Sequence, residues 1–227
     1  MQAGATTPEV AIERFVAAEV ARDTVASFAL LSEPDRAKFP NPASWQAAHR
    51  NLPELRGFAP KGRGASDNKV VEIVGIATLV PELSEIKGLV APNAQARFTA
   101  VAEQGGWYVS VGATILQPIL PDDADAGAQV RLWLDARRAC APPVGERPGG
   151  LVGIVGLANR LCGATGDVAV EATQRLRDTA DLGPFLAAFG PEVGLWARVV
   201  PVRSPVPLRA VVAPLGDNWT VVGILAP

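Results

Sequence analysis

The sequence predicts an α+β protein of two tandem helix-first domains, each carrying a curved antiparallel sheet packed on its helices. Three observations predict it. Helical periodicity opens each half. Runs of Val, Ile and Thr broken by Gly and Pro come next. The closing phrase GDNWTVV around Trp219 has a counterpart, GGWYVSV, around Trp107.

Thr7 is placed to cap the first helix and Pro8 suits its first turn, after which Ile12, Phe15, Val16 and Val20 recur at helical spacing on one face. Residues 23–31 and 42–50 predict two shorter helices, the first with Asp23 set as its N-cap. From Val70 onward the texture becomes that of a sheet. RFTAVAEQGGW (97–107) and LRAVVAPLGDNW (208–219) each read as two apolar runs joined by a Gly- or Asn-rich turn, a β-hairpin. Upstream, PELSEIKGLV (81–90) matches PEVGLWARVV (191–200), and AIERFVAAEVAR (11–22) matches AQVRLWLDARR (128–138) with Arg14 over Arg131. Matches in the same order at near-constant spacing predict a duplication. The seam falls at ILPDDADAG, 119–127, where Pro, Asp and Gly interrupt the apolar pattern. The predicted domains are therefore 1–120 and 121–227.

Helix-first order, a final strand announced by Gly-Gly-Trp or Gly-x-x-Trp, and halves of this length resemble the nuclear transport factor 2-like, or SnoaL-like, superfamily. That resemblance rests on TPEVAIERFVAAEV and GGWYVSV in the first half. It implies a sheet wrapped around a long N-terminal helix as a cone, with a hollow open at one end. The second half departs from the pattern at CAPPVGERPGG, where the next helix would come. Some enzymes of this fold use a buried acid; Asp23 could fill that role, but its place before TVASFALL suits a cap.

Composition bounds the function. With 48% hydrophobic and 19% charged residues the 227-residue chain has enough apolar material for a core and too little charge for disorder. Net charge is −2, and 17 Arg and 4 Lys are scattered among 23 acids, which excludes nucleic acid as the main partner. No apolar run is long enough to span a bilayer. The opening MQAGATT has neither the basic start nor the apolar centre of a signal peptide.

Cys140 and Cys162 are the only cysteines, and they bracket a Pro- and Gly-rich excursion. That placement predicts a disulfide, whose loop closure is worth roughly 3 kcal/mol on the chain-entropy estimate. Two thiols and one distant histidine match no zinc spacing, so no metal site is expected. Gly150, Gly153 and Gly156 fit neither G-x-G-x-x-G nor the P-loop pattern, and the second half has no Lys, so no phosphate-binding cofactor is expected. His49, the only histidine, comes one helical turn after Trp45. The pair could form the lip of a pocket or simply pack. Trp107 and Tyr108, adjacent in a strand, point to opposite faces, one into the core and one outward. Trp133 and Trp196 read as core aromatics. No G-x-S-x-G nucleophile motif occurs.

These readings predict a non-catalytic binding or assembly module of an exported or surface-tethered protein, with another protein as partner and its signal or anchor outside this chain. The alternative is a small-molecule binder or enzyme that takes an apolar ligand into the hollow of a cone.

Overall fold

The structure, a computed structural model, describes residues 4–179 and 182–227. It is an α+β fold whose chain divides into two compact units, Met1–Val80 with Asn93–Ile119, and Pro81–Pro92 with Leu120–Pro227.

Unit 1 opens with helix α1 (Pro8–Val20), capped by the Thr7 side chain on the Val10 amide. Its buried stripe is Ala11, Ile12, Phe15 and Val16, but the stripe continues through Glu19, while Val20 is 44% exposed. The apolar residue expected in the last turn thus faces out, and a carboxylate takes the inner position. Helix α2 (Thr24–Ala29) is capped by Asp23, which accepts from the Ala26 amide at 2.9 Å. A short helix α3 (Glu33–Arg36) comes next, then α4 (Pro42–Ala48), which runs into a 3-10 turn, His49–Asn51.

The sheet begins earlier than the sequence suggests, with β1 (Leu55–Ser66). Its Gly, Pro, Lys and Arg content hides it, and that content suits an edge strand with bulges in its pairing to β2 (Val70–Leu79). The chain then contributes the hairpin β3 (Glu82–Ser84) and β4 (Gly88–Val90) to unit 2 and returns as β5 (Asn93–Glu103) and β6 (Gly106–Pro118), giving the order β1-β2-β5-β6. Residues 81–90 therefore do not belong with the first domain, where a division at 120 would place them.

Period-2 alternation puts Val71, Ile73, Ala77 and Leu79 of β2 on the buried face beside Ala94, Ala96, Phe98 and Ala100 of β5. The small β5 residues leave room for α1 to lie close on the sheet. Tyr108 is buried and its neighbour Trp107 only partly so. The Trp107 backbone pairs with that of Ala5, just ahead of the helix cap. Gly106 makes the pairing feasible, since a Cβ there would stand 2.7 Å from the Ala5 carbonyl oxygen.

After the β3–β4 hairpin, unit 2 resumes with α5 (Asp123–Arg138), capped by Asp122. After it come β7 (Val152–Gly153), α6 (Gly156–Asn159), β8 (Ala169–Val170), β9 (Gln174–Arg175), α7 (Gly183–Phe189) and α8 (Val193–Trp196). The long strands β10 (Arg198–Arg203), β11 (Leu208–Ala213) and β12 (Thr220–Leu225) end the chain. The sheet order is β7-β12-β11-β10-β8, with β9 also on β10 and β7 parallel to β12. Both faces are covered. Val200, Val202, Ala210 and Val212 pack with Val130, Trp133 and Leu134 of α5, while Val199, Val211 and Val222 pack with Phe185, Phe189, Leu83 and Leu89. Residues 191–200 form α8 and enter β10, so the phrase that resembles 81–90 in letters differs from it in structure.

The two leading helices end alike. Arg22 and Cys140 are the non-glycine residues with positive φ among those described, at 57° and 54°. Each succeeds its helix with the paired amide-to-carbonyl bonds of a Schellman turn: Arg22 to Glu19 and Asp23 to Ala18, Cys140 to Arg137 and Ala141 to Ala136.

Candidate functional site

Trp45 and His49 are brought together, one in the core and the other packed against it. Trp45 is 2% exposed and sits in the core, with Nε1 donating to the Ser27 hydroxyl at 2.9 Å. Phe39 packs edge-on against it at 5.0 Å, and the His49 ring does so at 4.5 Å. His49 Nδ1 lies 2.8 Å from the Trp45 carbonyl oxygen and Nε2 lies 2.7 Å from Glu19 Oε2. The hydrogen bond to Glu19 holds the imidazole above its ordinary value; burial opposes it, and the Trp45 carbonyl and the Glu19 charge add to it. With both nitrogens engaged, the ring has none free to take a substrate proton.

A second buried acid, Asp35 of α3, has no counterpart in the sequence reading. Its Oδ1 accepts from Lys38 Nζ at 2.6 Å, and its Oδ2 from Ser110 Oγ at 3.1 Å and the Gly112 amide at 3.3 Å. Burial alone would raise this carboxyl, but those three donors together outweigh it and hold the group below the usual carboxylate range. The result is a clip. It fastens α3 to β6 at the point where β6 bulges between Ser110 and Ile115 opposite β5.

In unit 2 the disulfide joins Cys140 to Cys162, with Cα atoms 4.8 Å apart. The loop it closes is a strap. Three α5 side chains one turn apart hold it: Gln129 donates to the Val144 carbonyl, Trp133 Nε1 to Glu146 at 2.7 Å, and Arg137 to both Glu146 oxygens. Gly145, at φ 65°, lies directly under Gln129. Beyond it the strap pairs with the sheet, the Val221 amide donating to the Gly145 carbonyl and the Arg147 amide to the Val221 carbonyl. The glycines of GGLVGIVG thus serve β7 and α6 inside a structural loop. Trp133 is core, as expected, and Trp196 packs at the edge of the core.

Arg198, 6% exposed, is held by Asp123 at 2.7 Å and by the carbonyls of Leu195, Trp196 and Ala197 at the end of α8. Trp219 lies beside it and donates Nε1 to the Asp122 carbonyl at 2.8 Å, which ties the last hairpin to the start of α5.

Open grooves occur among the described residues, three of them as follows. One of about 580 Å³ lies between α5, at Gly127, Ala128 and Arg131, and residues 170–173. One of about 410 Å³ lies between α1 and α2, lined mostly by alanines. One of about 380 Å³ crosses the outer face of the unit 1 sheet at Val74, Ile76, Arg97 and Ile115. None of the three is lined by Trp45 or His49. Among the described residues no cluster of three or more His, Cys, Asp or Glu could hold a metal ion, and no helix is long and apolar enough to cross a membrane.

Glu19 was detectable in the sequence as a charge on the apolar stripe of α1. Asp35 and Glu146 were not: the Ser110 and Gly112 partners of Asp35 lie far along the chain, and Glu146 itself sits in a loop without periodicity.

No family model matches the chain, and no curated protein matches it. Among solved structures it is similar to the solution structure of a SEC-C motif containing protein from Rhodopseudomonas palustris, at 17% identity and TM-score 0.35 over 47% of this chain and 77% of that one. It is also similar to an Ntf2 like protein involved in plasmid conjugation, at 10% identity and TM-score 0.29 over 95% of this chain and 94% of that one. Scores at this level assign this chain neither a family nor a role.

Proposed function

We propose that this protein is a non-catalytic binding or assembly module, built from two related cone-like units of the nuclear transport factor 2-like kind and working outside the cytoplasm with another protein as its partner. One observation carries the reading: among the described residues, His49, Asp35, Glu146 and Arg198 are occupied by partners that hold the fold together. His49 uses both nitrogens, Asp35 both oxygens, and Glu146 and Arg198 are bonded to helix ends and straps. None offers a free reactive atom to a groove, which is what catalysis would need.

The kinship of the units draws support from their tryptophans. Trp107 pairs with Ala5 beside the start of α1, and Trp219 bonds to Asp122 at the start of α5. The matching Schellman ends of those helices add to it. The extracytoplasmic setting draws support from the disulfide, whose link would be kept reduced in an ordinary cytosol.

Photo-crosslinking residues placed at Leu132 on α5 and at Ile115 on the outer sheet face, both more than half exposed, test the partner directly in the native cell. A protein-sized adduct at either position is expected. No adduct at either, together with a small molecule retained inside one unit in native mass spectrometry, would replace the reading with the apolar-ligand alternative. Alkylation of the untreated protein tests its setting: blocked Cys140 and Cys162 are expected, and two free thiols would move the protein to a reducing compartment.

A further inference from the structure

The seam between the end of α1 and residues 49–54 is closed by two ion pairs, Glu19–His49 and Arg22–Glu54. Their chemistry differs. Arginine keeps its charge throughout the physiological range, whereas imidazole changes charge near neutrality. We propose that Glu19 and His49 form a pH-sensitive latch that clamps α4 and its 3-10 turn onto α1 in mild acid and releases them as the pH rises.

Both acceptors facing the ring carry the argument. A neutral imidazole has one N–H and one lone pair, so it can donate to the Trp45 carbonyl or to Glu19 but not to both. The full arrangement needs a proton on each nitrogen, or one shared across the Nε2–carboxylate contact. Glu19 depends on that proton. Its second oxygen, Oε1, is buried with no hydrogen-bond partner among the described residues, and its place in the last turn of α1 sets a negative charge at the negative end of the helix.

Other neighbours supply no substitute. Helix α2 faces the cluster with Ser27, which accepts from Trp45, and Phe39 packs on Trp45 from the α3–α4 connection. Arg50, next in the chain, is exposed, and Arg22 is taken by Glu54. Once the proton leaves, one ring nitrogen turns a lone pair towards an oxygen, Nε2 towards Glu19 or Nδ1 towards the Trp45 carbonyl, and whichever contact loses its hydrogen becomes repulsive. The raised imidazole sets the sign: the latch is fully made below the ordinary value of 6.5 and is lost as the pH climbs through the higher folded-state value.

With a single histidine in the chain, its ring resonances in an NMR titration belong to His49. The wild-type ring is expected to titrate above 6.5 and to fall towards that value in Glu19→Gln. Amide exchange at residues 43–52, normalised to the unfolded rate, is expected to rise through the same midpoint, about tenfold for each unit by which the imidazole is raised. A wild-type ring that titrates at or below 6.5, or one that titrates while exchange at 43–52 stays flat, overturns the latch. Should Glu19→Gln fail to fold, His49→Gln serves instead: its exchange should show no such midpoint, and a midpoint that persists there overturns the proposal equally.

Discussion

The two units use the same ingredients, a leading helix and an antiparallel sheet, but one sheet is covered on a single face and the other on both. In unit 1, β2 alternates strictly, with Val71, Ile73 and Ala77 inward and Glu72, Val74 and Ile76 towards the outer face. In unit 2, β11 and β12 are buried almost throughout, because α5 covers one face and α7, α8 and the β3–β4 hairpin cover the other. Sequence pattern tracks coverage. A half-covered strand reads as alternation and a fully covered one as an unbroken apolar run. The difference also teaches where each unit places its polar anchors: unit 1 fastens α3 to its sheet with Asp35 and the end of α4 to α1 with Glu19, whereas unit 2 uses a strap and Arg198.

The largest expected effect breaks the comparison at its centre. Phe185→Ala removes a fully buried ring from the second face of the unit 2 sheet and should cost about 3–5 kcal/mol. Ile115→Ala, on the outer face of the unit 1 sheet, should stay within about 0.5 kcal/mol. Denaturant unfolding of both variants measures the contrast, and equal losses would mean that the outer face of unit 1 is covered after all.

A medium effect concerns the anchors. Asp35→Ala should cost about 1–3 kcal/mol, because Ser110 and the Gly112 amide lose a buried acceptor. The wild-type carboxyl is held below its unfolded value near 3.8. Its contribution is therefore complete above that value and lost as the pH falls through the lower folded-state value. Unfolding of wild type and variant should converge in strong acid; a gap that does not narrow there argues that Asp35 acts by shape alone.

The smallest effect sharpens the likeness of the helix ends. Arg22→Gly relieves a left-handed residue and gives up an exposed ion pair with Glu54, so a net change under about 1 kcal/mol, towards stability, is expected in thermal unfolding. A marked loss would show that the Arg22–Glu54 pair outweighs the backbone conformation.

Much of the fold was legible because its signals were local. Thr7 and Asp23 were recognisable as caps from their own side chains and the helical residues immediately after them, and Cys140 had only Cys162 to pair with. Strand β1 was illegible because an edge strand rich in Gly, Pro and cations carries the composition of a loop. The destination of residues 81–92 was illegible for another reason: two leucines in a short hairpin do not say which sheet they cover. At the candidate site, the adjacency of Trp45 and His49 could be read from helical spacing. Glu19 as the partner of the ring, and Asp35 as a clip, depend on contacts between distant segments that no periodicity encodes.

The hairpin at Pro81–Pro92 also bears on how the chain is made. It leaves the ribosome well before the strands it will cover, since β10, β11 and β12 are the last to be synthesised. At about 5–20 residues per second, Leu83 and Leu89 wait in water for on the order of ten seconds while the rest of the chain emerges. A nascent protein that has completed its first sheet therefore displays an apolar finger, a natural handle for a chaperone. A product stopped at residue 119 would keep that finger exposed permanently.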